Sequence, residues 1–138
     1  MSEVNDWNAK IIEEFRTNEG RVGGPFEGAP VLLLTTTGAK TGQSRVNPMM
    51  YLAEDGDVHV FASKAGAPTN PAWYHNLVAN ATVGVEMGTE RFDATARVIT
   101  GAERDRIYAK QAELYPGFAE YQEKTDRVIP VIALDRTA

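Results

Sequence analysis

The sequence predicts an α+β protein whose strands form an antiparallel sheet that can close into a small barrel. Three observations predict this class. The chain of 138 residues has the length of one domain. Its strand-like segments follow one another in hairpins, and helix-like segments are inserted between them. Its hydrophobic fraction of 43% and charged fraction of 24% are ordinary for a globular protein. We count about six strands and three or four helices.

The first half of the chain predicts a helix followed by a three-stranded meander. Apolar side chains recur on one face over residues 5–18, which indicates an amphipathic helix, and residues 20–29 form a glycine-rich connector. Asp55-Gly56 marks a hairpin turn. Asn47-Pro48 interrupts the second strand, which indicates a sheet edge or a bulge there. The three predicted strands are 30–37, 44–52 and 57–62.

The second half predicts helices between three further strands. Asn70-Pro71 is a helix start, with Asn as the N-cap and Pro in the first turn. Thr100 and Glu103 have the spacing of a capping box, and Pro116-Gly117 ends the helix that they begin. The predicted helices are 70–79, 100–115 and 118–125, and the predicted strands are 82–87, 90–99 and 128–134.

Composition excludes several functional classes. The chain has no cysteine, so disulfides, thiolate metal sites and a cysteine nucleophile are excluded. A net charge of −5 argues against nucleic acid as the main partner. No apolar stretch of about 18 residues is present, and the N-terminus lacks the pattern of a secretory signal. We therefore expect a cytoplasmic protein, with peripheral contact at the inner face of the membrane left open.

Residues 35–53 form a locally basic stretch in an acidic chain. No Asp or Glu occurs over residues 35–53. Lys40 lies in a glycine-bracketed connection, residues 38–43, and Arg45 follows it. Because the two cations are five residues apart across a hairpin, both can reach one phosphate. Two solvated surface charges are the alternative.

The 38–43 connection does not have the pattern of a nucleotide-hydrolase loop. Three residues separate Gly38 from Gly42 and Gln43 follows, whereas a Walker loop has four residues and then a lysine. The connection also lies between two strands rather than before a helix. Ser63-Lys64 and the Asn70-Pro71 helix start add groups that favour an anion. Together these features favour a small anionic ligand over a polymer.

The remaining chemistry-bearing residues are two histidines and an aromatic run. A site with His59 and His75 would need further carboxylates at ligand spacing, and none lies near His75. We therefore expect no metal site and place His59 on the polar face of its strand, at the surface. Tyr115, Phe118 and Tyr121 recur every three residues. They indicate either core packing or an aromatic wall over a flat ligand, with a phenol able to donate a proton.

Three segments of the sequence resemble the actinobacterial deazaflavin-dependent nitroreductase family, and the likeness covers about residues 28–134. Enzymes of this family use coenzyme F-420, an 8-hydroxy-5-deazaflavin with a phosphate and a glutamate tail. The resemblance implies a split β-barrel of the flavin-reductase type over residues 28–135. It would form a single domain, 1–138, with an N-terminal amphipathic helix at 1–19. The segments are TTTGAKTGQSRVNPMMYL, VFASKAGAPTNPAWYHNL and YPGFAEYQEKTDRVIPV.

The resemblance also implies the site residues. The cofactor phosphate and tail would lie on Lys40, Thr41, Gly42 and Arg45. The edge of the deazaflavin would be followed by Val46, Asn47, Pro48 and Met49. The ring and its polar rim would contact Phe61, Ala62, Ser63 and Lys64, and Trp73 and Asn76 would close the pocket. The acceptor would be bound by Met50, Tyr115, Phe118 and Tyr121, with Ser63, Tyr115 and Tyr121 as the catalytic candidates.

The implied reaction is hydride transfer from reduced coenzyme F-420 to an electron-poor small molecule. A quinone, an activated alkene or a nitro-aromatic compound would accept it. An FMN-dependent split-barrel oxidoreductase and a non-catalytic deazaflavin carrier are the alternatives. Phe118 stands where nitroimidazole-reducing members of the family tend to have a third tyrosine, which puts nitroimidazole reduction in doubt. The protein is expected to be a monomer or a homodimer.

Overall fold

The fold is a closed antiparallel barrel with helices packed around it. The computed structural model of the chain describes residues 3–22, 30–54, 57–67 and 69–137. The strands are β1 (Val31–Thr37), β2 (Ser44–Glu54), β3 (Asp57–Phe61), β4 (Thr82–Met87), β5 (Glu90–Ile99) and β6 (Val131–Arg136). The helices are α1 (Glu3–Thr17), α2 (Ala72–Ala79), α3 (Gly101–Leu114) and α4 (Gly117–Glu123), and a 3-10 turn spans Lys64–Gly66. The barrel order is β1-β2-β3-β6-β5-β4, which confirms the predicted fold class.

Alternate strand residues fill the barrel. Val58 and Val60 of β3 pack inside it with residues from β1, β4, β5 and β6, as the period of two predicts. Trp73 and Leu77 of α2 belong to the same buried cluster. Because α2 connects the end of β3 to the start of β4, it covers that end of the barrel.

Two further apolar clusters lie on the outside of the barrel. Helices α3 and α4 cover the outer faces of β2, β3, β5 and β6, and α1 packs on β1 and β2. His59 lies under the first of these covers and is only 2% exposed, with its Nδ1 3.3 Å from the carbonyl oxygen of Leu52. The expectation that His59 is a surface residue is therefore wrong, because helices cover the face of β3 that the sequence pattern assigned to solvent.

Two predicted helix caps are replaced by other contacts. The N-cap of α2 is Pro71, and Asn70 instead accepts a hydrogen bond from Arg127. Thr100 is the N-cap of α3, but its side chain makes no capping hydrogen bond. The carboxylate of Glu103 lies 4.0 Å from Arg97. The predicted side-chain caps are therefore wrong, since arginines outside the two helices, Arg127 and Arg97, engage the groups that local spacing assigned to the helix ends.

Helix α1 is docked on the barrel by apolar packing and by an ion pair between Arg16 and Glu86. Ile11 and Phe15 are buried against β1, and Arg16 Nη2 lies 2.8 Å from Glu86 Oε2. This guanidinium lowers the pKa of Glu86 below its ordinary value. No helix in the described ranges is long and apolar enough to span a membrane. Residues 23–29 of the predicted connector and the predicted hairpin turn at Asp55-Gly56 lie outside the described residues.

We predict that Tyr108 sets part of the alkaline limit of stability. Burial raises the pKa of its phenol to about 12, and its hydroxyl donates to the carbonyl oxygen of Phe118 at 2.6 Å. The unfolded value is about 10, so between pH 10 and 12 the unfolded chain loses this proton first and the free energy of unfolding falls as pH rises. The contribution of this pKa shift to the free energy of unfolding is about 3 kcal/mol. Chemical denaturation from pH 8 to 12 should show a shallower decline for Tyr108→Phe than for the wild type, and equal slopes would contradict the assignment.

Candidate cofactor site

The predicted site residues converge at one end of the barrel. At this end β1 and β2 are joined beyond the pair Thr37 and Ser44. The pair Phe61 and Val131 marks the same end of β3 and β6. The 38–43 connection, the 3-10 turn and the start of α2 all follow strands that end here. Antiparallel closure therefore brings together segments that are far apart in the sequence.

Strand β2 changes partners along its length. Residues 44–50 pair with β1, whereas residues 51–54 pair with β3. Over 44–50, the edge of β2 that faces away from β1 has no strand partner among the described residues. Continuing the β2–β3 register from the pair Tyr51 and Val60 places Met49 opposite Ala62. We call this unpaired stretch the seam: residues 46–49 border one side, and residues 62–64 border the other.

The cations of the site lack acidic partners. Lys40 and Arg45 are exposed, and neither makes an ion pair with a carboxylate in the part of the chain that the structure describes. The Nζ of Lys64 donates to the hydroxyl of Thr69 at 3.2 Å, which leaves its charge uncompensated. Gly42 has a φ of +72°, and open space surrounds the position that a Cβ would take. This end of the barrel is therefore positive and sterically open, as an anion site requires.

Asn76 fixes the 38–43 connection from helix α2. Its Oδ1 accepts a hydrogen bond from the N–H of Ala39 at 3.0 Å. Its Nδ2 donates to the hydroxyl of Thr36 at 3.2 Å, and Thr36 is itself buried. Both ends of the Asn76 amide thus hold the connection in place beside α2. The direct cofactor contact predicted for Asn76 stays a prediction.

Helix α4 packs directly on the 3-10 turn. Gly66 has a φ of +80°, and a Cβ there would stand 2.7 Å from the carbonyl oxygen of Tyr121 and 3.0 Å from the Cβ of Lys124. The N–H of Gly66 donates to the carbonyl oxygen of Ser63. The close approach places Tyr121, an acceptor-side candidate, next to the turn that carries Ser63 and Lys64.

The aromatic candidates differ in how far they are buried. Phe118 is 8% exposed, and its ring centroid lies 5.6 Å from that of Phe61 and 5.3 Å from that of Tyr121. Tyr115 and Tyr121 are half-buried at the edge of the same cluster. Neither of their hydroxyls, nor that of Ser63, has a hydrogen-bond partner among the described residues. These three hydroxyls are the ones available to a ligand.

The predicted site residues fall into three groups by exposure. Lys40, Thr41, Gly42, Arg45 and Lys64 are exposed. The half-buried group comprises Val46, Asn47, Pro48, Met50, Ser63, Asn76, Tyr115 and Tyr121. Met49, Phe61, Ala62, Trp73 and Phe118 are buried. The exposed group surrounds the 38–43 connection and the 3-10 turn, and the buried group packs behind the seam.

Sequence reasoning missed Arg127, which lies between α4 and β6. Its guanidinium donates to the carbonyl oxygens of Ala62, Ser63 and Ala67 and to Oδ1 of Asn70, at 2.7–3.0 Å. Burial lowers the pKa of Arg127 from its ordinary value, but a guanidinium remains protonated near neutral pH. An arginine beside a charged surface loop gave no local signal, because its partners are about 60 residues away.

Within the described ranges, no three His, Cys, Asp or Glu side chains lie close enough together to hold a metal ion. The donors that the site does offer are lysine and arginine side chains, hydroxyls and the backbone N–H groups along the seam. Such donors hold organic anions and the polar edges of planar rings.

Comparison with known proteins finds relatives that cover most of this chain. The family model that matches residues 7–136 is described as F-420H(2)-dependent quinone reductase. An F-420H(2)-dependent quinone reductase of Mycobacterium tuberculosis is 42% identical over 129 residues, covering 88% of this chain and 85% of that protein. A solved F-420-H2 dependent reductase is 47% identical with a TM-score of 0.70, covering 77% of this chain and 94% of that chain.

Two further solved structures share the fold. One, described as a domain-swapped dimer, is 41% identical with a TM-score of 0.72 and covers 96% of this chain and 100% of that chain. A haem storage protein from Vibrio cholerae is 18% identical with a TM-score of 0.61, covering 95% of this chain and 91% of that chain. At that identity the likeness concerns the fold alone.

Gly66 provides a test of the packing between α4 and the 3-10 turn. Gly66→Ala should lower the free energy of unfolding by about 2–3 kcal/mol, because the left-handed φ and the overlap with Tyr121 both oppose a Cβ. Gly42→Ala is the matched control, since Gly42 has a similar φ but open space around it, and it should cost about 1 kcal/mol. Urea denaturation of both variants checks the difference; equal losses would contradict the close packing.

Proposed function

Because the chain belongs to the F-420H(2)-dependent quinone reductase family, we propose that it transfers a hydride from reduced coenzyme F-420 to a quinone-type acceptor. When bound, the reduced deazaflavin supplies a hydride and a proton, and the quinone takes up both to become a hydroquinone. The family match favours coenzyme F-420 over FMN, and a reductase over a carrier. Activated alkenes and nitro-aromatic compounds are further proposed acceptors.

The observation that carries the proposal is the set of cations without acidic partners around the 38–43 connection. Coenzyme F-420 has a phosphate and a glutamate tail, so it needs several positive groups along one direction. Arg45 can donate two parallel hydrogen bonds to a phosphate, and Lys40 and Lys64 add mobile charges. We propose that these residues, with Thr41 and Gly42, hold the phosphate and tail.

The seam provides a place for the planar ring. Residues 46–49 offer a strand edge and residues 62–64 offer a loop edge, and the polar groups of both can pair with the edge of the deazaflavin. Both edges are supported by buried aromatic side chains. Trp73 packs inside the barrel, and Phe61 packs on its outer face. A ring held in this way keeps one face towards the acceptor, which is the alignment that hydride transfer requires.

The acceptor side is proposed to be formed by the hydroxyls of Tyr115, Tyr121 and Ser63, near Met50 and Phe118. These hydroxyls are free to donate to the quinone oxygen on which negative charge develops, and a phenol there can also deliver the proton. Phe118 lacks a hydroxyl and lies in the core, so we assign it a packing role in this wall. A monomer and a homodimer both remain proposals, and one relative is described as a domain-swapped dimer.

Removal of the cations tests the anion site. Lys40→Ala and Arg45→Ala should each weaken binding of coenzyme F-420 about tenfold, since each removes a charge-assisted contact worth about 1.4 kcal/mol. The control Lys10→Ala, an exposed lysine on α1, should leave the Kd unchanged. Titration of cofactor fluorescence at low and at raised salt measures the effect. Unchanged affinity in both site variants would exclude this anion site.

Removal of the phenols tests the acceptor side. Tyr121→Phe and Tyr115→Phe should lower kcat for menadione reduction about 10- to 100-fold, because a donor to the developing oxyanion or a proton source is lost. The Kd for coenzyme F-420 should not change, which separates this effect from cofactor loss. Stopped-flow oxidation of the reduced cofactor, corrected for the rate without protein, measures it. Full activity in both variants would remove the tyrosines from the proposed chemistry.

A further inference from the structure

The guanidinium of Arg127 binds four neutral acceptors in one loop. Nη1 donates to the carbonyl oxygen of Ala62 at 3.0 Å and to Oδ1 of Asn70 at 2.8 Å. Nη2 donates to the carbonyl oxygen of Ser63 at 2.7 Å. Nε donates to the carbonyl oxygen of Ala67 at 2.9 Å. No carboxylate among the described residues forms an ion pair with it. The rigid fork of an arginine thus holds Ala62, Ser63, Ala67 and Asn70 together.

Peptide geometry fixes what the other side of this loop presents. The described chain contains no cis peptide bond, and in a trans peptide the C=O and N–H of one unit point in opposite directions. The carbonyl of Ala62 shares its unit with the N–H of Ser63, and the carbonyl of Ser63 shares its unit with the N–H of Lys64. Because both carbonyls point at Arg127, both N–H groups point away from it.

These two N–H groups are available to a ligand. Neither donates to a protein acceptor among the described residues. Ser63 is right-handed, with φ −73° and ψ −41°, and Lys64 has a φ of +47°. The right-handed backbone at Ser63 turns the N–H groups of Ser63 and Lys64 towards the same side, as in the first turn of a helix. A left-handed conformation is unfavourable for lysine, so the surrounding contacts must hold it in place.

From this geometry we infer that Arg127 is a positioning residue for hydride transfer. It holds the Ser63 and Lys64 N–H groups towards the acceptor-rich pyrimidine edge of the deazaflavin, and it polarises them by binding the carbonyls of the same peptide units. The inference rests on the proposed function. Arg127 acts through the backbone and touches neither cofactor nor acceptor.

A second group of contacts holds Arg127 itself. Gln122 Nε2 donates to the carbonyl oxygen of Arg127 at 2.7 Å, and Gln122 Oε1 accepts from the N–H of Ile129 at 3.1 Å. Arg104 of α3 donates to the same Oε1 at 2.6 Å and to the carbonyl oxygen of Ile129 at 3.0 Å. Helices α3 and α4 therefore set the position of Arg127, and Arg127 in turn sets the position of the 3-10 turn.

The test compares Arg127→Lys with Arg97→Lys. Lysine keeps the positive charge but cannot reproduce the fork. Arg97 is also held by several partners, Asp135 among them, but none of them lies in residues 62–70, so it is the matched control. Three measurements need no turnover: amide hydrogen exchange of residues 62–70 without cofactor, fluorescence titration of coenzyme F-420 binding, and absorbance titration of the 8-hydroxyl of bound coenzyme F-420. The anion of the 8-hydroxyl is conjugated with the pyrimidine carbonyl. N–H groups that donate to this carbonyl therefore lower the pKa of the 8-hydroxyl.

Arg127→Lys should speed exchange in residues 62–70, weaken coenzyme F-420 binding at least tenfold and return the bound 8-hydroxyl pKa towards its value in free coenzyme. Arg97→Lys should change none of the three. Unchanged binding and hydroxyl pKa in Arg127→Lys, even with a lowered Tm, would leave Arg127 a merely structural residue and overturn the inference. Absence of coenzyme F-420 binding by the wild type would instead overturn the proposed function itself.

Discussion

The candidate site depends on one break in the hydrogen-bond ladder of the barrel. A closed barrel pairs every strand edge, and a small one fills its interior with side chains, so it offers a ligand neither backbone donors nor space. Strand β2 departs from this rule, because it pairs with β1 over residues 44–50 and with β3 only over residues 51–54. Pro48, which has no N–H to lose, lies in the stretch with one partner. The seam is therefore part of the strand pairing and does not require a loop to open.

The walls of the site are held by neutral groups and by main-chain contacts rather than by acids. Asn76 binds Ala39 and Thr36, and Arg127 binds four neutral oxygens. An acidic partner near Lys40 or Arg45 would stabilise the empty loop, but it would compete with an anionic ligand for the same charges. Support through amides and carbonyls leaves those charges available and still fixes the connection that carries them.

The sequence predicted what depends on local periodicity, and it failed where a distant partner decides. Hairpin signals and alternation located all six strands, because those patterns report which face of a strand is buried. Asn70 has the local features of an N-cap, but Arg127, which is 57 residues away, takes its side-chain oxygen. His59 alternates as a surface residue would, but helices that follow β5 cover it. Neither partner can be identified until the fold places it.

The difference between local spacing and placement by the fold also applies to Tyr115, Phe118 and Tyr121, which the resemblance assigned to acceptor binding. Within α4, a spacing of three turns the side chain of Tyr121 by about 60° from that of Phe118. Tyr115 precedes α4 and has an extended backbone. Phe118 can therefore face the core while Tyr115 and Tyr121 reach the edge of the cluster. Phe118 is that middle residue, and it packs against Phe61, Tyr108 and Tyr121. A hydroxyl added to the buried ring of Phe118 would need a hydrogen-bond partner there. The hydroxyls of Tyr115 and Tyr121, in contrast, have no hydrogen-bond partner among the described residues. Discrimination among acceptors should therefore follow from the two flanking tyrosines, and Phe118 should act on it only by fixing where those tyrosines stand.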